Sequence, residues 1–305
     1  MLVFASSDKG GTGRSVTSCN VAYHLSLQRH DVAYLDFDFG SPTAGAIFEI
    51  AKVDRGIDHG GLHSYVVGDV ANPQSLEVRD HSDRQGLRAT HAKAGRLVLY
   101  PGDRGGAEFS SKPGNIQRCV ELFRRLDQEF DVCVVDLSAG RSHAVEMALE
   151  ATAQSELASV AVRWLVFHRW TRQHIVAAHG LVYGEHGLLD TGADAGHDVG
   201  RLEDSIRFVR TAVPALNSPL AAGRAAQAKW LRTCNDELKQ LALRNRVGHS
   251  RTLGETPMEP VLQWREQVIS DADVAGNIAN PETVQSFREL AWKLTDPVVW
   301  EALAT

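Results

Sequence analysis

Residues 2–15 read Leu2-Val3-Phe4-Ala5-Ser6-Ser7-Asp8-Lys9-Gly10-Gly11-Thr12-Gly13-Arg14-Ser15, and the helix-forming run Val16–Gln28 follows. A short apolar run without polar alternation predicts a strand covered on both faces. The turn after it is rich in glycine and opens directly into a helix. Such a turn lets successive backbone N–H groups point inward, and the helix dipole adds partial positive charge, so the junction is an anion site. Ser15, in the first helical turn, is placed to ligate Mg²⁺.

Further strands are expected at Val32–Phe37, Arg96–Tyr100, Val132–Leu137, Val162–His168 and Ile206–Val213. Helical runs separate them: Arg14–Gln28, Asn115–Glu129, Ala144–Ala153, Arg172–Tyr183, Ala221–Leu243 and Pro281–Leu294. Alternation of this kind predicts an α/β fold, a doubly wound and mostly parallel sheet with helices on both faces. Residues 54–95 and 185–200 are rich in Gly, His and Asp, and both read as irregular surface excursions from a single domain spanning 1–305.

The whole chain fits that plan. It has 305 residues, 43% hydrophobic and 23% charged, enough for a full core and far from the composition of a disordered or fibrous chain. With 32 basic and 38 acidic residues the net charge is −6, which excludes a globally basic nucleic-acid binder but allows a local basic patch. No run approaches the ~18 consecutive apolar residues of a membrane span. The N-terminus has no basic leader and reaches a charge at Asp8, and Cys19, Cys119, Cys133 and Cys234 form no C-x-x-C pair. A reduced, cytoplasmic setting is expected.

Two acidic segments stand downstream of the glycine loop: Tyr34-Leu35-Asp36-Phe37-Asp38-Phe39-Gly40, and Asp131-Val132-Cys133-Val134-Val135-Asp136-Leu137-Ser138-Ala139-Gly140. Carboxylates at the ends of parallel strands face the same edge as the loop, where they can polarise water or hold a cation. With the loop, these segments resemble the deviant Walker A family of P-loop ATPases, which includes the ParA partition ATPases and MinD. The family loop reads K-G-G-x-G-K-[ST], and the resemblance implies a P-loop NTPase fold binding ATP or ADP with Mg²⁺. It gives Lys9 the role of reaching across an ATP-bound homodimer to the partner's phosphates. Asp38 corresponds to the aspartate that orients the attacking water, Asp136 to the Walker B carboxylate, and Gly140 to the switch that senses the γ-phosphate. Nucleotide binding is thereby assigned to Gly10, Gly11, Thr12, Gly13, Arg14, Ser15, Val16, Asp136 and Gly140, with metal at Ser15, Asp38 and Asp136. Thr256-Pro257-Met258-Glu259-Pro260 resembles the family loop that borders the adenine base, which puts Pro257 and Met258 against it. Lys9, Asp38 and Arg14 form the implied catalytic set.

Arg14 departs from the pattern, standing where the family has its second lysine. An ammonium is a compact point charge that fits between phosphate oxygens, whereas a guanidinium is a wide planar fork. Nucleotide binding with slow or absent hydrolysis is the expected consequence.

Other patterns bear on partners. Arg224, Lys229, Arg232, Lys239, Arg244, Arg246 and Arg251 concentrate positive charge in an acidic chain, so nonspecific DNA is a candidate partner through Arg244, Arg246 and Arg251. Arg169 and Arg172 read as an exposed partner-binding surface, and a protein partner that stimulates the ATPase is expected. Val284, Phe287, Leu290, Ala291 and Leu294 form one apolar stripe, read as packing against the domain in preference to a MinD-like membrane helix. His59 and His63 read as loop residues, and His174, His179 and His186 lack the spacing of metal ligands. No G-x-S-x-G elbow supports a serine hydrolase. The readings carried forward are an ATP-dependent dimerising switch that positions DNA or another cargo, a nucleotide-binding scaffold without turnover, and a membrane-associated MinD-like positioning protein.

Overall fold

A computed structural model describes residues 1–89, 93–106, 112–215 and 225–303. Its eight strands are β1 (Leu2–Ser6), β2 (Val32–Phe37), β3 (Leu76–Glu77), β4 (Leu97–Tyr100), β5 (Val132–Leu137), β6 (Val162–Arg169), β7 (Ile206–Val213) and β8 (Thr252–Pro257). They form one sheet in the order β3-β4-β2-β5-β1-β6-β7-β8. Every pairing is parallel except β3 with β4. β1 lies between β5 and β6: the chain runs from β1 outward to β2 and β4 on one side, then from β5 crosses β1 to β6 on the other. In open α/β sheets the crevice beyond the strand ends at such a point is where ligands bind.

The strands alternate between two cores. Leu2 and Phe4 of β1 join Phe37, Phe123 and Trp164 under the helices Pro113–Glu129, His143–Thr152 and Arg172–Tyr183. Val3 and Ala5 face the other way, toward Tyr34, Phe48, Cys19 and Leu290 under the helices Arg14–Leu27 and Pro281–Thr295. Phe4 stacks on Trp164 at 4.6 Å and meets Phe123 edge-on at 5.6 Å. Both faces of the sheet are therefore dry, and the apolar runs of the sequence reflect that.

Several expectations need correction. The segments 54–95 and 185–200 are not irregular surface excursions. The first contains the helices Leu62–Val67, Val78–His81 and Gln85–Arg88 as well as β3, and the second contains Leu188–Ala195 and the start of Val199–Asp204. Leu62, Tyr65 and Val66 enter one core and Leu76, Val78 and Leu87 the other, so a few well-placed apolar residues sufficed where a full amphipathic pattern was absent. Residues 90–92 lie outside the described residues. His63 is helical rather than looped. β8 was not expected because Thr252-Leu253-Gly254-Glu255-Thr256 is polar, as an edge strand can be. Arg169 is half-buried, while Arg172 is exposed.

The stripe of the helix Pro281–Thr295 packs as expected: Val284, Phe287, Leu290, Ala291 and Leu294 are all buried. No helix among the described residues is long and apolar enough to cross a membrane.

Candidate functional site

Gly13 is the N-cap of the helix Arg14–Leu27 and sits in the left-handed region at φ 77°, while Gly11 has φ 71°. Residues with a Cβ rarely adopt either conformation, so these two glycines curl the loop. Thr211 of β7 fastens it from outside, donating its hydroxyl to the Thr12 carbonyl at 2.5 Å. Among the described residues, the backbone N–H groups of Gly10, Gly11, Thr12 and Gly13 donate to no protein acceptor. Free backbone donors on a glycine-rich turn at a helix N-terminus form an anion nest.

The nest opens on a cavity of about 370 Å³ lined by Ser7, residues 10–16, Asp38, Thr43, Ala46, Ile47, Ala139 and Glu266. Of the residues assigned to nucleotide by sequence, Gly10, Gly11, Thr12, Gly13, Arg14, Ser15 and Val16 come together here. Gly140 is beside it at φ 81°, with its N–H donating to the Ser7 carbonyl at 2.7 Å. Lys9 does not line this cavity; it borders a shallow depression with Arg172, Gln173, Val176 and Ala177. Pro257 and Met258 also lie outside the lining, at the end of the edge strand β8, where the Met258 N–H donates to Val213.

Arg14 dominates the floor of the site. Nε donates to Asp136 Oδ1 at 2.5 Å, and Nη2 donates to Asp38 Oδ2 at 2.8 Å and to Ser15 Oγ at 3.3 Å. Nη1 donates to nothing among the described residues. The side chain is only 6% exposed and Asp136 is fully buried. Burial works against the guanidinium's charge, but Asp136 and then Asp38 outweigh it and raise its pKa. Burial likewise raises the pKa of Asp38, with Arg14 opposing it.

The three oxygens assigned to a divalent cation therefore all meet one guanidinium. A doubly charged ion among the same oxygens would have to share them with a buried positive charge that cannot shed its proton. As arranged, Ser15, Asp38 and Asp136 do not fit Mg²⁺. Among the described residues no group of three or more His, Cys, Asp or Glu side chains is arranged to hold a metal.

Sequence reasoning missed several contributors. Asp36 is paired in register with Asp136 across β2 and β5, and burial, then the Asp136 charge, push its carboxyl up to about 8. Its Oδ2 accepts the N–H groups of Thr43 and Ala44, which brings Thr43 and Ile47 to the cavity. Asn20, buried in the first helix, accepts the Ile269 N–H at 2.7 Å and donates to the Gln267 carbonyl at 3.0 Å. That pair of bonds holds the segment that brings Glu266 to the cavity rim. A polar residue on the buried face of a helix was the available signal.

The proposed basic face is less uniform than its sequence. Arg224 lies outside the described residues, and the helix runs Ala225–Arg244. Arg246 and Arg251 lie beyond its end and share one carboxylate, Glu203, at 2.5 and 3.1 Å. Arg246 also covers the Tyr183 ring at 4.2 Å. Arg244 is exposed beside an apolar cavity with Trp170, Trp230 and Leu241.

Comparison with known proteins agrees with this geometry. Residues 3–212 match the CbiA family, described as the CobQ/CobB/MinD/ParA nucleotide binding domain. Among solved structures, the MinD cell division protein of Aquifex aeolicus has a TM-score of 0.57 at 15% identity, covering 96% of this chain and 95% of its own. The septum site-determining protein MinD of Pyrococcus horikoshii, complexed with Mg-ADP, has a TM-score of 0.54 at 13% identity over 97% and 96%. A structure of pNOB8 ParA bound to nonspecific DNA gives 0.54 and 13% over 96% of each chain. At such identities the likeness speaks for the fold. No curated protein matches the chain. The family match covers well over half of the sequence, and with the sheet order and the glycine nest it leads to one conclusion: the chain belongs to the CobQ/CobB/MinD/ParA nucleotide-binding family.

Proposed function

We propose that the protein is a nucleotide-dependent switch of ParA/MinD type. ATP or ADP occupies the 370 Å³ cavity with its phosphates on the loop amides, and ATP promotes a homodimer in which Lys9 serves the partner's site. The observation that carries this reading is the set of N–H donors without protein acceptors at Gly10, Gly11, Thr12 and Gly13, residues that line the cavity at the start of a helix. Gly10 and Gly11 are exposed, so water meets these donors until an anion takes its place. Pro257 and Met258 remain the proposed base contacts. DNA or another cargo is the proposed object of positioning.

A second reading, a nucleotide-binding scaffold without turnover, is favoured by one specific contact. Asp38 is the group proposed to orient water, yet its Oδ2 accepts from Arg14. A carboxylate held in an ion pair is a poor general base. Calorimetry with ADP and ATP tests the shared claim, and no binding at millimolar nucleotide refutes it. Phosphate release by the parent and by Arg14→Lys then separates the two. Turnover in the parent favours the switch, and turnover only in the variant favours the scaffold.

A further inference from the structure

We propose that the Arg14 guanidinium takes the place of the divalent cation at this site, so that nucleotide binds the chain without Mg²⁺. The inference rests on the nucleotide reading above and adds what neutralises the phosphates. Asp136, Asp38 and Ser15 converge on a single point from β5, from the end of β2 and from the first helix, and the guanidinium fills that point. It engages one oxygen of each residue, as a bound cation would. The planar fork suits this task because Nε and Nη2 point toward the acids on adjoining edges. That leaves Nη1, in a side chain lining the cavity, to receive a phosphate oxygen.

The ion pairs point the same way: Arg14 meets Asp38 at 2.8 Å and Asp136 at 2.5 Å. Pulling the guanidinium off Asp136 to admit a metal would strand a buried arginine and place two cations side by side. Keeping it there costs no rearrangement, since Arg14 already stands between the carboxylates and the incoming anion.

The test is titration of the full chain with ADP and with ATP, in excess Mg²⁺ and in EDTA. The expected result is a dissociation constant unchanged within about twofold between the two buffers. Arg14→Lys, whose ammonium cannot bridge three oxygens as a fork does, should lose about tenfold or more in EDTA and recover in Mg²⁺. Binding by the parent in Mg²⁺ but not in EDTA overturns the inference and leaves the nucleotide function standing. Absence of binding in both buffers removes that function and this inference with it. Should Arg14→Lys fail to fold, the parent alone supplies a second readout. With ADP present, adding the chain should bind no Mn²⁺ beyond what ADP alone binds by paramagnetic resonance, and one additional bound Mn²⁺ per chain would contradict the proposal.

Discussion

Arg14 and the Arg246–Glu203–Arg251 cluster use the same chemistry at two depths. Arg14 is 6% exposed and is matched to two carboxylates on neighbouring strands. Arg246 is 54% exposed and shares Glu203 with Arg251, which comes from a turn after the basic helix. Inside, neither partner can be screened by water, so each dictates the other's charge and place. Outside, water and salt compete, and the pairing shapes which charges a partner meets more than it holds the fold. The lesson is that a buried ion pair is a constraint, whereas a surface pair is a bias.

The largest effect should follow from removing the buried cation. Arg14→Met leaves Asp136 and Asp38 facing each other without a counter-ion, and should cost about 3–5 kcal/mol in urea unfolding. Adding Asp136→Asn should recover a substantial part, and a double-mutant cycle measures the coupling. If Arg14→Met is as stable as the parent, the ion pair does not organise the site.

A middle-sized effect comes from pH. Asp36 titrates at about 8 in the folded chain against 3.8 as its ordinary value, so the native state keeps a proton that the unfolded chain releases. Its contribution is complete below 3.8 and is lost as pH rises toward 8. Asp36→Asn should flatten that alkaline decline in the urea midpoint. His24 and His168 act oppositely. Burial first, and other neighbours less, lower each from 6.5 to about 4, so their contribution is present above 6.5 and lost as pH falls toward 4. An unchanged pH profile in Asp36→Asn would show that Asp36 is ionised in the fold.

The smallest effect is expected at the surface. Glu203→Gln should change stability by less than about 1 kcal/mol. It releases Arg246 and Arg251, so binding to random-sequence duplex at ~50 mM salt should strengthen if that face meets DNA. Replacing Arg244, Arg246 and Arg251 by Ala should remove salt-sensitive binding. Indifference of both variants to DNA would leave a protein as the cargo.

The two depths also explain what was legible beforehand. β1, β2 and β5 run over the same residues as the apolar runs that announced them, because a strand buried on both faces has no polar alternation to blur it. The glycine loop was equally plain, since its residue types follow from local geometry at Gly11 and Gly13. Arg14 marked itself as unusual, but its bond to Asp136 spans 122 positions and belongs to the sheet order, not to any local pattern. Glu203 was invisible for the same reason: 43 residues separate it from Arg246. β8 and the short helices of 54–95 escaped because they contribute at most three buried side chains each.

The central claim is that the amides of the glycine loop hold phosphate, and backbone hydrogen exchange on the full chain with and without ADP tests it most directly. The account predicts slowed exchange at Gly10, Gly11, Thr12 and Gly13, where no protein acceptor stands among the described residues. Protection should extend to Ala139 and Gly140 and leave the Arg246–Glu203 surface unchanged. ADP that binds yet leaves the loop amides exchanging at their free rate, with protection elsewhere, would contradict it.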